Sequence, residues 1–139
     1  MRRFLILLAL VLPLTALDAQ ERGLAQAADQ ARRAWLSHDA AGFVSQSPRL
    51  VLQLPGADPS DALGPAQSAA LISNFLSQAQ EVEIVVRAAR EVEPGRGYVE
   101  LQRRYRVAGT QDVREQSLLL GYRLEPSGWS LVELRVVGL

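Results

Sequence analysis

The sequence of 139 residues contains no cysteine and no lysine, and its only histidine is His38. Without cysteine the chain forms no disulfide, has no thiol nucleophile and offers no cysteine for lipid attachment. With one histidine and no acidic cluster at ligand spacing, neither a metal site nor a cofactor is predicted. The hydrophobic core must therefore stabilise the fold alone. This is feasible at such a length, because folding removes roughly 65% of the unfolded chain's surface from water.

The first nineteen residues have the pattern of a signal peptide. A basic start at Arg2 and Arg3 precedes an apolar core over Phe4–Leu12 and a tail of small residues. We predict cleavage after Ala19, with Ala16 as the alternative site, because small residues must fit the peptidase before the cut. The apolar run has about half of the roughly 20 residues that span a bilayer, so a retained membrane anchor is the weaker interpretation.

Removal of residues 1–19 would leave a single domain over residues 20–139, exported to the periplasm or secreted, without a stable membrane anchor. That domain has thirteen basic and fourteen acidic residues. This near-zero balance, without a basic stripe, argues against nucleic acid as a partner. Every basic residue is arginine. The bias indicates either the codon usage of a GC-rich genome or selection for bidentate contacts with anions.

The first half of the chain predicts mostly helix. Over Arg22–Leu36, apolar residues recur at three- and four-residue spacings, which is typical of an amphipathic helix. Asp39 is suited to cap a single further helical turn. A short strand is predicted over Leu50–Leu54, ending at a Pro-Gly pair. Another helix is predicted over Pro65–Ala79, with proline in its first turn.

The second half predicts an antiparallel sheet, because four strand-forming runs are separated by short breaks of turn-forming residues. The runs are Glu81–Glu93, Gly97–Ala108, Val113–Leu124 and Trp129–Val137. The resulting order is α-α-β-α-β-β-β-β. It predicts an α+β fold in which N-terminal helices pack on the concave face of a curved antiparallel sheet.

Turns of four residues would set the register of this sheet. They pair Val92 with Gly97, Ala108 with Val113 and Leu124 with Trp129. Alternation then gives a dry inner face and a charged outer face. The predicted inner face holds Val82, Ile84, Val86, Ala88, Val99, Leu101, Arg103, Tyr105, Val107, Gln116, Leu118, Leu120, Tyr122 and Leu124. The predicted outer face includes Glu81, Glu83, Arg104, Arg106 and Glu115.

The last strand is less regular than the others. In the same register the inward residues are Trp129, Leu131, Glu133, Arg135 and Val137, and the outward ones are Val132, Leu134 and Val136. A single β-bulge would reverse the assignment beyond it. We favour the register without a bulge, because it places Trp129 inside.

This order of elements, with Asp39–Phe43 at the helical turn and Gly128–Leu134 in the last strand, resembles the nuclear transport factor 2-like superfamily, a cystatin-like α+β cone. Within it, the chain resembles small exported bacterial proteins of unknown function. The stretches that carry this second resemblance are Leu52–Gly56, Gly64–Gln67, Phe75 and Gly97–Val99. The resemblance covers residues 22–138 and implies a pocket between sheet and helices. The superfamily includes isomerases, dehydratases, epoxide hydrolases, ligand carriers and non-catalytic partner-binding modules.

Six residues are candidates for lining that pocket and binding a ligand: Arg103, Tyr105, Gln116, Tyr122, Glu133 and Arg135. In the predicted register, Arg103 and Arg135 both lie opposite Leu118, and Glu133 is one inward step from Arg135. An arginine inside an apolar face is costly unless it is paired or hydrated. Two interpretations follow: an internal Arg–Glu pair that plugs the cone, or guanidinium groups that accept a carboxylate or another small anion.

We expect a non-catalytic exported module that binds a small anionic or apolar ligand, or a partner protein, and we assign no catalytic residue. The alternative is a small isomerase, lyase or hydrolase of the ketosteroid isomerase-like type. It would use Tyr105, Tyr122 and Glu133, with Arg103 as an electrostatic helper. We expect His38 to be a solvated residue at a helix end.

The outer face of the sheet also predicts an oligomer. Leu119, Val132, Leu134 and Val136 would form a small apolar patch on an otherwise charged surface, the kind of patch that marks an interface. We therefore expect a two-fold homodimer through these strands.

Overall fold

The computed structural model describes residues 14–138 of the chain. The predicted signal peptide, residues 1–19, falls mainly outside the described residues, and its cleavage stays a prediction. Within the described range, no helix has both the length and the apolar character needed to cross a membrane.

Three helices precede or interrupt the sheet: α1 (Leu14–Leu36), α2 (Ala40–Phe43) and α3 (Pro65–Leu76). All three were predicted, although α1 begins before the expected start at Arg22. Helix α1 buries a stripe of small and large apolar side chains, namely Leu24, Ala28, Ala31, Ala34 and Trp35. The steps from Leu24 to Ala28 and Ala31 are four and three positions, and Ala34 and Trp35 lie three and four positions beyond Ala31, so the five residues share one face of the helix and pack against the sheet.

Helix α1 ends in a Schellman motif with His38 at the position that usually holds glycine. The His38 amide donates to the carbonyl of Trp35 at 3.0 Å, and the Asp39 amide donates to the carbonyl of Ala34 at 2.8 Å. His38 has a φ of 57°, in the left-handed region that glycine adopts without cost. Asp39 then caps α2, as predicted, by accepting a hydrogen bond from the amide of Gly42 at 2.9 Å.

Five strands form one curved sheet in the order β1-β5-β4-β3-β2. Their bounds are β1 (Val51–Gln53), β2 (Ala79–Glu93), β3 (Arg96–Val107), β4 (Val113–Glu125) and β5 (Gly128–Gly138). Strand β1 pairs with β5 in parallel, and the other neighbours are antiparallel. The predicted α+β class and order of elements are confirmed.

Strands β3 and β4 have the predicted faces but not the predicted partners. Arg103 pairs with Gln116, where the sequence-based register placed Leu118. The reason is the position of the turn: the amide of Val107 donates to the carbonyl of Asp112 at 2.9 Å, so the four-residue turn lies at 108–111, one residue earlier than predicted. Because the shift is by two residues, every side chain keeps its face.

Strand β2 departs most from the prediction, because it contains three β-bulges. The pairing with β3 slips between Glu81 and Glu83, between Val86 and Ala88, and between Glu91 and Glu93. Each slip moves the following side chains to the other face. The predicted pairing of Val92 with Gly97 is therefore wrong. Ala88, predicted inside, lies opposite Glu100 of the outer face, and Val82, also predicted inside, is 41% exposed.

Strand β5 also contains a bulge, and the register favoured from the sequence is wrong beyond it. Tyr122 pairs with Leu131 and Gly121 with Glu133, so Val132 has no partner. Glu133 and the next alternate residue, Arg135, consequently lie on the outer face and are exposed. Trp129 precedes the bulge and remains inside, as expected. Beyond the bulge, Leu134 and Val136 are buried.

The core lies between the helices and the inner face of the sheet. The Trp35 ring is fully buried, meeting the Phe43 ring edge-on with centroids 5.2 Å apart and the Phe75 ring at 6.2 Å. Gly97 lets α1 approach β3 closely, because a Cβ there would lie 2.8 Å from a methyl carbon of Leu24. That separation is well inside van der Waals contact, so a larger residue would push the helix away from the sheet.

Candidate functional site

The structure brings together three of the six candidate residues, namely Arg103, Tyr105 and Gln116. Arg103 and Tyr105 are consecutive inward residues of β3, and Gln116 is the β4 partner of Arg103. Tyr122 lies three inward steps from Gln116, beside a cavity of about 30 Å³ that also contacts Trp129 and Leu131. Burial raises the pKa of Tyr122 above its ordinary value. The predicted inward positions of Glu133 and Arg135 are wrong, because the bulge at Val132 turns both side chains to the outer face.

Arg103 is the centre of the site, and its side chain is only 1% exposed. Its Nε donates to Oε2 of Glu81 at 3.1 Å, and its Nη2 donates to Oε1 of the same carboxylate. Its Nη1 donates to Oε1 of Gln116 at 3.0 Å. This is a bidentate charge-assisted pair with an additional amide acceptor, the arrangement that compensates best for burying a guanidinium group.

Three aromatic rings surround the same guanidinium group. The Arg103 Cζ atom lies 4.1 Å from the Tyr105 ring centroid, 5.4 Å from that of Trp35 and 5.5 Å from that of Phe75. Rings at these distances attract a cation through their quadrupoles, and more strongly when water is excluded. The cone therefore encloses a stacked, neutralised arginine at the level where α1, α3 and the sheet converge.

Sequence reasoning missed the partner of Arg103. Glu81 was placed on the outer face and Glu133 inside, whereas the Glu81 side chain is 2% exposed. The slip at Val82 explains the difference, because it puts Glu81 and Ile84 on the same face. No local signal marks the slip, because the apolar run Ile84–Val86 pairs regularly with β3 and the extra residue Val82 lies before it.

His38 approaches the buried carboxylate from the end of α1. Its Nε2 lies 3.5 Å from Oε1 of Glu81, and its side chain is 33% exposed. This nitrogen is itself buried, and within residues 14–138 it has no hydrogen-bond partner. His38 lies at a helix end, as expected, but it is half-buried and closes one side of the Glu81–Arg103 pair.

A pocket of about 160 Å³ opens beside this pair, between the C-terminal end of α3 and the end of the sheet where β3 turns into β4. We call it the rim pocket, and its lining residues are Phe75, Gln78, Ala79, Arg103, Tyr105, Val107, Arg114 and Gln116. Its volume corresponds to about five water molecules at roughly 30 Å³ each. Two of the eight residues are arginines and none is acidic. One wall is apolar and the other carries hydrogen-bond donors.

The acidic groups near the rim pocket are turned away from it or already engaged. Both carboxylate oxygens of Glu81 accept hydrogen bonds from Arg103. Asp112 binds Arg114 with an Oδ2–Nη2 distance of 2.8 Å at the exposed edge. The described part of the chain contains no group of three histidine or acidic residues that could hold a metal ion. The lining of the rim pocket therefore has arginine and amide donors and no carboxylate.

No protein-family model matches the chain, and no curated protein matches it. Solved structures do match it along most of its length. A ketosteroid isomerase-like protein from Erwinia carotovora atroseptica has a TM-score of 0.71 and 13% identity, over 86% of this chain and 96% of that one.

Two further structures agree with that match. A protein of the nuclear transport factor 2-like family from Streptomyces avermitilis has a TM-score of 0.69 and 12% identity, over 88% of this chain and 97% of that one. A domain of unknown function with a cystatin-like fold from Nostoc punctiforme has a TM-score of 0.65 and 16% identity, over 87% and 78%. At these identities the likeness shows architecture alone, and the chain has the nuclear transport factor 2-like fold.

Proposed function

We propose that the protein is a non-catalytic binding module whose rim pocket takes a small carboxylate, either a free acid or the end of a larger molecule. The observation that carries the proposal is the lining of the pocket, where Arg103 and Arg114 are present and acidic residues are absent. Two cationic side chains without a carboxylate beside them in the lining favour an anion.

The filling of the cone supports binding over turnover. In place of an open cavity, the interior holds the Arg103 guanidinium group between Trp35, Tyr105 and the carboxylate of Glu81. An isomerase of the alternative type needs a carboxylate base near its tyrosines. Glu133, the candidate for that role, lies on the opposite face of the sheet. The buried Glu81 does not replace it, because both of its oxygens are held by arginine.

The size of the pocket limits the ligand. A volume of about 160 Å³ is below the range of roughly 300–1,000 Å³ that is usual for sites enclosing drug-sized ligands. The carboxylate would lie near Gln116 and Arg114, and a short apolar part would contact Phe75 and Val107. A larger molecule would extend outward past the β3–β4 turn.

The proposed location of the protein is the periplasm or the outside of the cell. It rests on the basic, apolar and small-residue order of residues 1–19. Fractionation of cells that express the full chain, with N-terminal sequencing of the exported product, tests it. A product that stays in the cytoplasm and still begins at Met1 would contradict it.

Thermal-shift measurements test the binding proposal. Acetate, propionate and benzoate are compared with amines of matched shape on the wild type, Arg114→Gln and Arg123→Gln. Arg123 is the control, because it is an exposed arginine on the outer face of the same strand. Carboxylate at about 100 times its dissociation constant stabilises the fold by roughly 2.7 kcal/mol, which raises Tm by several degrees.

We expect this shift in the wild type and in Arg123→Gln, and a smaller one in Arg114→Gln. If no carboxylate stabilises the wild type, or if both arginine variants lose the shift equally, the rim pocket is not the site.

A further inference from the structure

The direction of the Gln116 side-chain amide is determined by a chain of hydrogen bonds that begins at Glu81. An ionised carboxylate only accepts hydrogen bonds, and a guanidinium group only donates them. Arg103 therefore binds Glu81 with one edge and must find an acceptor for Nη1. That acceptor is Oε1 of Gln116 at 3.0 Å. The amide oxygen of Gln116 is thus committed to the interior, and its NH₂ group lies on the other side.

That NH₂ group is available to a ligand in the rim pocket. Gln116 lines the pocket and is 8% exposed. Across the described residues, its Nε2 donates no hydrogen bond to the protein, and this nitrogen is not among the buried polar atoms that lack a partner. It is therefore a donor with a fixed direction and a free site in front of it.

The charges beside this donor are balanced. Arg103 is neutralised by Glu81, and Arg114 is paired with Asp112. The pocket consequently presents donors without a large surplus of positive charge. A monoanion such as a carboxylate gains hydrogen bonds from these donors.

We propose that Gln116 is the residue that determines the specificity of the rim pocket, selecting a monocarboxylate with a short hydrocarbon part over an amine of the same shape. Glu81 and Arg103 are positioning residues that hold its amide oxygen inward. The inference rests on the proposed function and adds to it the residue that determines whether the preferred ligand carries a negative or a positive charge.

The decisive variant is Gln116→Glu. Its new carboxylate keeps an acceptor for Arg103, so the interior network is preserved, but the pocket side now carries an acceptor with negative charge. Gln116→Met is the second variant, because it removes the donor without adding charge and has a similar volume; it also removes the acceptor of Arg103 Nη1, and its apo Tm reports that cost. Benzoate with benzylamine, and propionate with propylamine, are titrated calorimetrically into the wild type and both variants, and apo Tm values report folding.

Wild type should bind benzoate and not benzylamine. Gln116→Met should bind benzoate at least tenfold more weakly, the loss expected for one hydrogen bond to a charged group. Gln116→Glu should lose benzoate binding and gain benzylamine binding.

Unchanged benzoate affinity in either folded variant would overturn the role of Gln116 while leaving the carboxylate site intact. Absence of carboxylate binding to the wild type would overturn the proposed function and this inference together. If Gln116→Glu does not fold, Gln116→Met alone decides the outcome.

Discussion

Glu81 and Arg103 form an ion pair that is sealed inside the cone, with side-chain exposures of 2% and 1%. They meet because Val82 is an extra residue in β2. This bulge puts Glu81 on the inner face of the sheet, whereas strict alternation would put it on the outer face. Of the two interpretations of the inward arginine, the internal pair describes this arrangement. The partner of Arg103, however, is Glu81 and not the predicted Glu133. The anion-binding interpretation now applies to the rim pocket beside the pair.

The buried ion pair leads to a prediction about the free energy of unfolding. Arg103→Met alone should destabilise the protein by about 3–5 kcal/mol, because the Glu81 carboxylate remains buried without its partner. Replacing both residues, with Arg103→Met and Glu81→Leu, should be neutral or stabilising by up to roughly 4 kcal/mol, because two desolvated charges are removed together. Urea denaturation of the single and double variants measures both values. Equal losses in the two would show that the pair contributes packing alone.

The backbone conformation of His38 leads to a prediction about which residues the position tolerates. With φ at 57°, the position accepts glycine or asparagine, but a β-branched side chain is strained there. His38→Asn should change the free energy of unfolding by less than about 1 kcal/mol, whereas His38→Val should destabilise by roughly 1–3 kcal/mol. Denaturation midpoints of the two variants give the comparison. A valine variant as stable as the asparagine variant would mean that the helix end rearranges easily.

Burial of Tyr122 leads to a prediction about the stability of the protein at alkaline pH. Burial raises its pKa in the folded state, while the unfolded chain titrates at the ordinary value of about 10. Below that value both states keep the proton, and above it only the unfolded state loses it. Stability should therefore fall as pH rises above about 10.

The matched variants for this effect are Tyr122→Phe and Tyr98→Phe, since Tyr98 lies on the outer face of β3. Urea midpoints between about pH 8 and about pH 11 should decline less steeply in Tyr122→Phe than in the wild type or Tyr98→Phe. Identical slopes in all three proteins would contradict a buried phenol.

The homodimer stays a prediction, but the apolar patch expected on the outer face of the sheet is smaller than the sequence indicated. Leu134 and Val136 lie in the core, so of the four predicted patch residues Leu119 stays on the outer face and Val132 is the partly exposed, unpaired residue of the bulge. Light scattering should give a dimer mass for the wild type and a monomer mass for Leu119→Arg, with Val113→Arg as the control at another exposed apolar position. A wild-type monomer would remove the prediction.

The sequence was sufficient for the elements and for two of the strands. Turn residues and apolar periodicity located every helix and strand, and the inner faces of β3 and β4 are as predicted. The bulges could not be placed from local pattern, because an extra residue in a strand is stabilised by curvature and pairing with a distant neighbour. The apolar run Ile84–Val86 interrupts strict alternation without a bulge inside it, so an interruption of the pattern does not say which residue is the extra one.

The site depended on those bulges, and this is why half of it was missed. Arg103, Tyr105 and Gln116 lie on regular strands and were placed correctly on the inner face. Glu81 and Glu133 each lie next to a bulge, and their faces were exchanged. Because of one extra residue in β2 and one in β5, the carboxylate that binds Arg103 is Glu81, in the middle of the chain, and not Glu133, near its end.

The bulges of β2 also bear on how the protein avoids aggregation. This strand is one edge of the sheet, and an edge with a regular row of free amides and carbonyls can recruit a strand from another molecule. Here the unpaired residues Val82, Arg87 and Val92 recur every five positions, so the row is broken repeatedly along its length. An incoming strand would find no long stretch in register. We therefore expect the irregularity that brings Glu81 to Arg103 also to make the exposed edge a poor template for strand addition.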